Sequence, residues 1–138
     1  MKYMILSYAS QRDYDGTAGG TEQTPAWSAE DFAGMVGFME AFDKELAASG
    51  ELVETRGLAA PVHTRRVGNR DGQAFVTDGP YAETQEVLAG YWIVECESFD
   101  RATEIAGRLR NCPVPGDAAA TAYADIRPIT DGAQELAF

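Results

Sequence analysis

Asp78, in Asp78-Gly79-Pro80, is the side chain of this sequence best placed to do chemistry. A carboxylate at the end of a strand, on a turn beside apolar residues, can have its pKa raised and act as a general acid or base. The same carboxylate can instead hold the turn by accepting hydrogen bonds from nearby backbone N–H groups, and Asx turns are the commoner use. His63 is the single histidine. On a strand next to that of Asp78 it would face the same cleft and pass a proton near neutral pH; beside Thr64, Arg65 and Arg66 it also reads as a plain exposed strand residue. Arg65 and Arg66 point to opposite faces of a strand, so an inward Arg65 offers its planar fork to a carboxylate ligand, or forms a salt bridge to Glu54 or Glu95. Tyr81, Glu83, Tyr91 and Trp92 offer stacking and hydrogen bonds around a small organic molecule. Tyr91 and Trp92 alternate, so one faces the helices and the other a dimer partner. Glu83 and Glu86, three apart, suit the cap of a helical turn better than an acid–base pair.

Other chemistries find little material. Cys96 lies in an apolar strand and reads as inert, while Cys112 is more exposed with nothing to lower its pKa. One histidine and two cysteines do not make a zinc site, and no metal is expected. There is no phosphate loop, nucleophile elbow or dinucleotide motif, and no cofactor is expected.

The elements that must position these residues follow from periodicity. Lys2 to Ala9 alternates as a strand with two apolar faces, Met4, Leu6 and Tyr8 opposite Tyr3, Ile5 and Ser7. Residues 10–27 are polar and Gly-rich and read as a loop, a solvated connection or a lid. Ser28 with Glu30 and Asp31 starts a helix whose stripe is Phe32, Met35, Val36, Met39, Phe42 and Leu46, closed by Ser49-Gly50. Glu51 to Thr55 is a second strand. Val62 to Val67 and Gln73 to Thr77 flank the five turn formers Gly68-Asn69-Arg70-Asp71-Gly72 as a hairpin. Gly90 releases the chain into a strand over Tyr91 to Cys96. Ser98 caps a second helix with Phe99, Ala102, Ile105, Ala106 and Leu109 on one face, stopped at Cys112-Pro113. Thr121 to Arg127 is the last strand, and 130–138 is a tail.

Strand, helix, strand, hairpin, strand, helix, strand is the split βαβ pattern of an α+β domain, with two helices on one face of an antiparallel sheet. No third helix is expected, so the other sheet face must bury itself against a second copy, which predicts a homodimer. At 138 residues, with 45% hydrophobic and 24% charged residues, the chain suits one domain over 1–138 with a real core. A net charge of −11 repels phosphate backbones and disfavours direct nucleic acid binding. No apolar run approaches a membrane span, no long signal segment opens the chain, and a cytoplasmic location is expected.

Thr77-Asp78-Gly79-Pro80-Tyr81-Ala82-Glu83-Thr84, then Glu86-Val87-Leu88 and Gly90-Tyr91-Trp92-Ile93-Val94-Glu95, resembles the signature of the YCII-related proteins. The likeness is to the branch with an Asp-Gly-Pro-Phe motif, the DGPF domain, with Tyr81 in the Phe position. It extends to Lys2-Tyr3-Met4, the helix from Phe38 to Gly50, Asn111-Cys112-Pro113 and Ile126-Arg127-Pro128-Ile129. The resemblance implies a ferredoxin-like domain that pairs through its sheets into a dimeric α+β barrel, and no settled reaction. It also implies, for some members, association with extracytoplasmic-function sigma factors. A His-Asp pair proposed for better-studied members has its histidine nearer the N-terminus, where this chain has none. Two functions are thus expected: a small organic ligand in a sheet–helix cleft with acid–base chemistry at Asp78, or a non-catalytic dimeric accessory module working with a sigma factor. A heme or oxygenase activity, as in other dimeric α+β barrels, finds no histidine in a ligand position and ranks last.

Overall fold

The computed structural model describes residues 1–79, 85–116 and 122–132. Its centre is β1 (Lys2–Ala9), which pairs antiparallel with β5 (Val87–Glu95) on one side and β6 (Ala124–Pro128) on the other. The edge strand β2 (Leu52–Gly57) pairs antiparallel with β5, giving the order β2-β5-β1-β6. The chain passes from β1 to β2 through α2 (Ala29–Ala48), and from β5 to β6 through α3 (Phe99–Gly107). With β5 inserted antiparallel between β1 and β2, this is the ferredoxin-like α+β arrangement.

Alternation along the two central strands sends Tyr3 and Ile5, Trp92 and Val94, to the helix side. There they meet Phe42 and Leu46 of α2 and Ala102, Ile105 and Ala106 of α3. Each large apolar side chain buried in such a layer contributes about 1.5–3 kcal/mol. Phe42 meets Trp92 edge-on at 5.6 Å, and the Trp92 indole N–H donates to Asp43 Oδ1 at 2.8 Å, so the one polar atom of the ring is satisfied. Both long helices start where their serines predict. Ser28 accepts from the Asp31 N–H while Asp31 accepts from the Ser28 N–H, and Ser98 accepts from the Arg101 N–H. Gly50, with φ +79°, closes α2. Only the second half of the α2 stripe enters the core: Phe32 remains 45% exposed.

Several elements differ from expectation. Residues 10–27 are not one loop, because α1 spans Gln11–Thr17 and brings the α-helices among the described residues to three. Ser10 and Asp13 form a reciprocal capping box there, and the Trp27 ring packs so tightly on Gly16 that a Cβ would lie 2.7 Å from it. The first hairpin strand is shifted by three residues into the expected turn, which is correspondingly shorter: β3 (Arg65–Arg70) and β4 (Gln73–Asp78) are joined by Asp71-Gly72, both at positive φ. A 3-10 turn, Pro61–His63, replaces the strand expected to begin at Val62. Gly90 lies inside β5 rather than before it, where the Arg56 carbonyl oxygen would stand 2.9 Å from any Cβ. The last strand begins at Ala124. Of the tail, residues 133–138 lie outside the described residues.

Candidate functional site

Two groups of side chains emerge, one at the base of the hairpin and one on the sheet face away from α2 and α3. At the hairpin base, β3–β4 pairing sets Arg65 opposite Asp78, and the Arg65 Nε donates to Asp78 Oδ1 at 2.7 Å. Both side chains are 69% exposed, so the pair sits in water and not in a cleft. The next residue closes the structure, since the Gly79 N–H donates to the Thr64 carbonyl at 2.6 Å. A Cβ at Gly79 would lie 2.9 Å from the Pro61 carbonyl oxygen, so glycine is what lets this backbone lie against the 3-10 turn. That turn is held in its own right: the Val62 N–H donates to Gln11 Oε1 at 2.9 Å, and Tyr14 Oη donates to the Leu58 carbonyl at 2.7 Å. Helix α1, the 3-10 turn and the hairpin base are thereby one bonded unit.

This geometry revises the sequence reading of Asp78 and its neighbours. Among the described residues the partner of Asp78 is Arg65, a pairing in place of the Glu54 or Glu95 expected for that arginine, and the turn beyond Gly79 lies outside the described residues. His63, itself exposed, ends the 3-10 turn instead of lying on a strand beside Asp78, because the buried Pro61 directs the chain into that turn. Arg65 spends its guanidinium on Asp78 and does not point inward. Trp92 is a core residue, 7% exposed, and faces the helices, while Tyr91 faces the opposite side of the sheet. Tyr81 and Glu83 lie outside the described residues, as does Pro80. Cys96 is buried, and burial pushes its thiol pKa up; Cys112 is half-buried, and burial raises it likewise.

The second group lies where Met4, Leu6 and Tyr8 alternate outward on β1, beside Tyr91 and Ile93 of β5. Tyr91 Oη donates to Glu54 Oε2 at 2.8 Å, and Tyr8 Oη donates to Asp125 Oδ2 at 2.8 Å. Tyr8 stacks on Tyr123 with centroids 5.2 Å apart, and Tyr123 is hydrogen-bonded to Glu86. The bond to Asp125, then burial, raises the Tyr8 pKa; the bonds to Glu54 and Glu86 raise Tyr91 and Tyr123 in the same way. These phenols are therefore donors and not bases at neutral pH. Sequence reasoning named Tyr91, and Glu54 only as a partner for Arg65, and gave no site role to Tyr8, Tyr123 and Asp125. The signal for Tyr8 was present in the alternation of β1; that for Asp125 was its place on the outward face of the last strand.

Around the apolar middle of this face the strand registers set Lys2, Arg56 and Arg127 together with Glu54, Glu95 and Asp125. Among the described residues, no group of three or more His, Cys, Asp or Glu side chains is placed to hold a metal ion.

Comparison with known proteins assigns the family. The YCII-related domain matches residues 1–127. The chain belongs to the YCII-related family. A member-like relative from Rhizobium meliloti (strain 1021), named Uncharacterized protein R00369, is 28% identical over 111 residues, which is 80% of this chain and 82% of the relative. Its name assigns no reaction, so the function of this YCII-related chain has to be argued from its own surfaces. Among the described residues, no helix is long and apolar enough to cross a membrane.

Proposed function

We propose that this YCII-related protein is a cytoplasmic homodimeric accessory module, non-catalytic at Asp78, whose two copies meet through the sheet faces turned away from α2 and α3. One observation carries the reading. Met4, Leu6, Tyr91 and Ile93 stay half-buried in the single chain, while the residues alternating with them are buried at 7% exposure or less in Tyr3, Ile5, Trp92 and Val94. An apolar sheet face over which no element packs among the described residues is the kind of surface that a second sheet covers.

The charges around that face support a self-complementary contact. Lys2, Arg56 and Arg127 balance Glu54, Glu95 and Asp125, on a chain with 11 basic and 22 acidic residues. A two-fold interface brings each charge of one copy towards the same ring on the other, so a balanced ring suits it where an acidic one would repel.

The acid–base reading of Asp78 draws less support, because its carboxylate is exposed and paired with Arg65. The small-molecule cleft between sheet and helices draws less as well, since Ile5, Val94, Phe42, Leu46 and Ile105 fill that layer at 2% exposure or less. An acidic dimer suits a basic protein partner, and an extracytoplasmic-function sigma factor is the partner class that the family resemblance brings to this reading.

Sedimentation equilibrium of the full chain tests the assembly. A dimer is expected, and Ile93→Asp, which plants a carboxylate in the middle of the face, is expected to yield a folded monomer. A wild-type chain that stays monomeric at every concentration overturns the proposal.

A further inference from the structure

An open sheet edge presents a row of backbone N–H and C=O groups on which another chain can add a strand. Among the described residues, the outer strands of the four-stranded sheet are β2 and β6. The chain closes the two in different ways. At β6 the Ile129 N–H donates to the Lys2 carbonyl, so by alternation Arg127 and Asp125 bond β1 while Pro128 and Ile126 turn their backbone groups outward. Proline has no N–H. A five-residue strand that ends on one therefore offers a short and interrupted outward row.

β2 carries no proline between Leu52 and Gly57 and needs another device. The Arg56 carbonyl oxygen faces β5, 2.9 Å from where a Cβ on Gly90 would stand, so the neighbouring Thr55 carbonyl faces away from the sheet. That outward acceptor is already taken. Arg56 Nη1 donates to the Thr55 carbonyl at 2.9 Å, and Glu54 Oε1 lies 3.6 Å from Nη2, which steadies the guanidinium over the edge. Earlier in the strand, a bulge between Leu52 and Glu54 breaks the ladder and leaves Val53 exposed. A bulge and a long charged side chain are the two means by which natural sheets blunt an edge.

We infer that Arg56 is the guard of the β2 edge: its guanidinium occupies the outward Thr55 carbonyl and, with the bulge at Val53, keeps a strand of another copy from adding there. The inference stands independently of the homodimer reading and goes beyond it. With β6 closed by Pro128 and β2 by Arg56, the apolar face is the way left for two four-stranded sheets to meet, and assembly stops short of an extended sheet.

Sedimentation velocity of the full chain tests the guard, comparing the wild type with Arg56→Ala and with the double variant Val53→Lys, Arg56→Ala over a concentration series. The Arg56 side chain is 65% exposed, so Arg56→Ala is expected to keep the wild-type circular dichroism spectrum. It is also expected to form species larger than any the wild type forms, with an association at least about tenfold tighter, equivalent to about 1.4 kcal/mol. Adding Val53→Lys is expected to reverse this, because a lysine on an open edge blocks strand addition. Net charge predicts the opposite of both results. Losing Arg56 makes an acidic chain more acidic and more repulsive, and gaining a lysine makes it less so. The readout is size above the wild-type species, whether that species is a monomer or a dimer, so the guard and the sheet-face dimer fail separately. An Arg56→Ala chain that sediments as the wild type does at every concentration overturns the guard. Association that Val53→Lys leaves in place overturns it as well, because the added contact then lies away from the β2 edge.

Discussion

Gly79 and Gly37 show how differently two glycines of one chain are constrained. A Cβ on Gly79 would strike the backbone oxygen of Pro61 at 2.9 Å and approach that of Thr64 at 3.3 Å, neither of which can rotate away. Gly37 lies inside α2 and has nothing within 4 Å of its Cβ position. Gly79→Ala is therefore expected to destabilise the fold by about 1–3 kcal/mol, as an overpacked site does. Gly37→Ala is expected to stabilise it by up to about 1 kcal/mol through helix propensity alone. Urea unfolding of the two variants checks the contrast, and a Gly79→Ala chain as stable as the wild type would mean that the hairpin base is not held as described. At this scale the Asp78-Gly79 step is architecture. Its carboxylate clamps β3 to β4 through Arg65, and its glycine lets the strand end dock on the 3-10 turn.

Elements were legible in the sequence where a local device dictated them. Ser28 with Asp31 and Ser98 before the Phe99, Ala102, Ile105 stripe announced α2 and α3, because an N-cap and a 3.6-residue repeat act within a few residues. Ser10 and Asp13 are the same device, yet α1 was hidden by the Asp-, Thr- and Gly-rich stretch around it; its stability comes from Trp27 folding back onto Gly16, a contact invisible to local pattern. Gly90 read as a break because the approach of β2 to β5 at that point is a tertiary fact. For the site, Tyr91 and Trp92 were correctly placed on opposite faces, whereas the pairing of Arg65 with Asp78 depended on a hairpin register that a two-residue turn shifted.

The junction between β2 and α3 carries a titration that can be measured. Arg101 donates from Nε and Nη2 to the two oxygens of Glu51 at 2.9 and 2.8 Å. Those bonds hold the Glu51 carboxyl below the usual range, against the opposing push of burial and with help from Ser49. A folded value below the unfolded one means that the contribution is full above the unfolded pKa, about 4.3 for Glu, and is lost as pH falls through the lowered value. Glu51→Gln is expected to lower stability at neutral pH and to flatten the acid limb of the stability curve. Parallel acid limbs for wild type and variant, followed by urea unfolding, would remove Glu51 from the acid dependence.

At the scale of the whole molecule, two electrostatic effects would act on the proposed dimer with opposite signs. Two bodies of charge −11 repel over distances set by the screening length, about 30 Å at 0.01 M salt and about 8 Å at 0.15 M. The ring of Lys2, Arg56 and Arg127 with Glu54, Glu95 and Asp125 acts only at contact, where exposed pairs contribute about 0–1 kcal/mol each. The apolar middle, Met4, Leu6, Tyr91 and Ile93, does not depend on charge and is if anything strengthened by salts excluded from the surface. The long-range repulsion should then dominate the salt response at low ionic strength. Dimer affinity is expected to rise between about 0.01 M and about 0.15 M salt, where the screening length shortens most, and to change little beyond. Sedimentation equilibrium along a sodium chloride series reads this directly. Affinity that falls steadily with salt would mean that the charge ring, and not the apolar face, holds the two copies together.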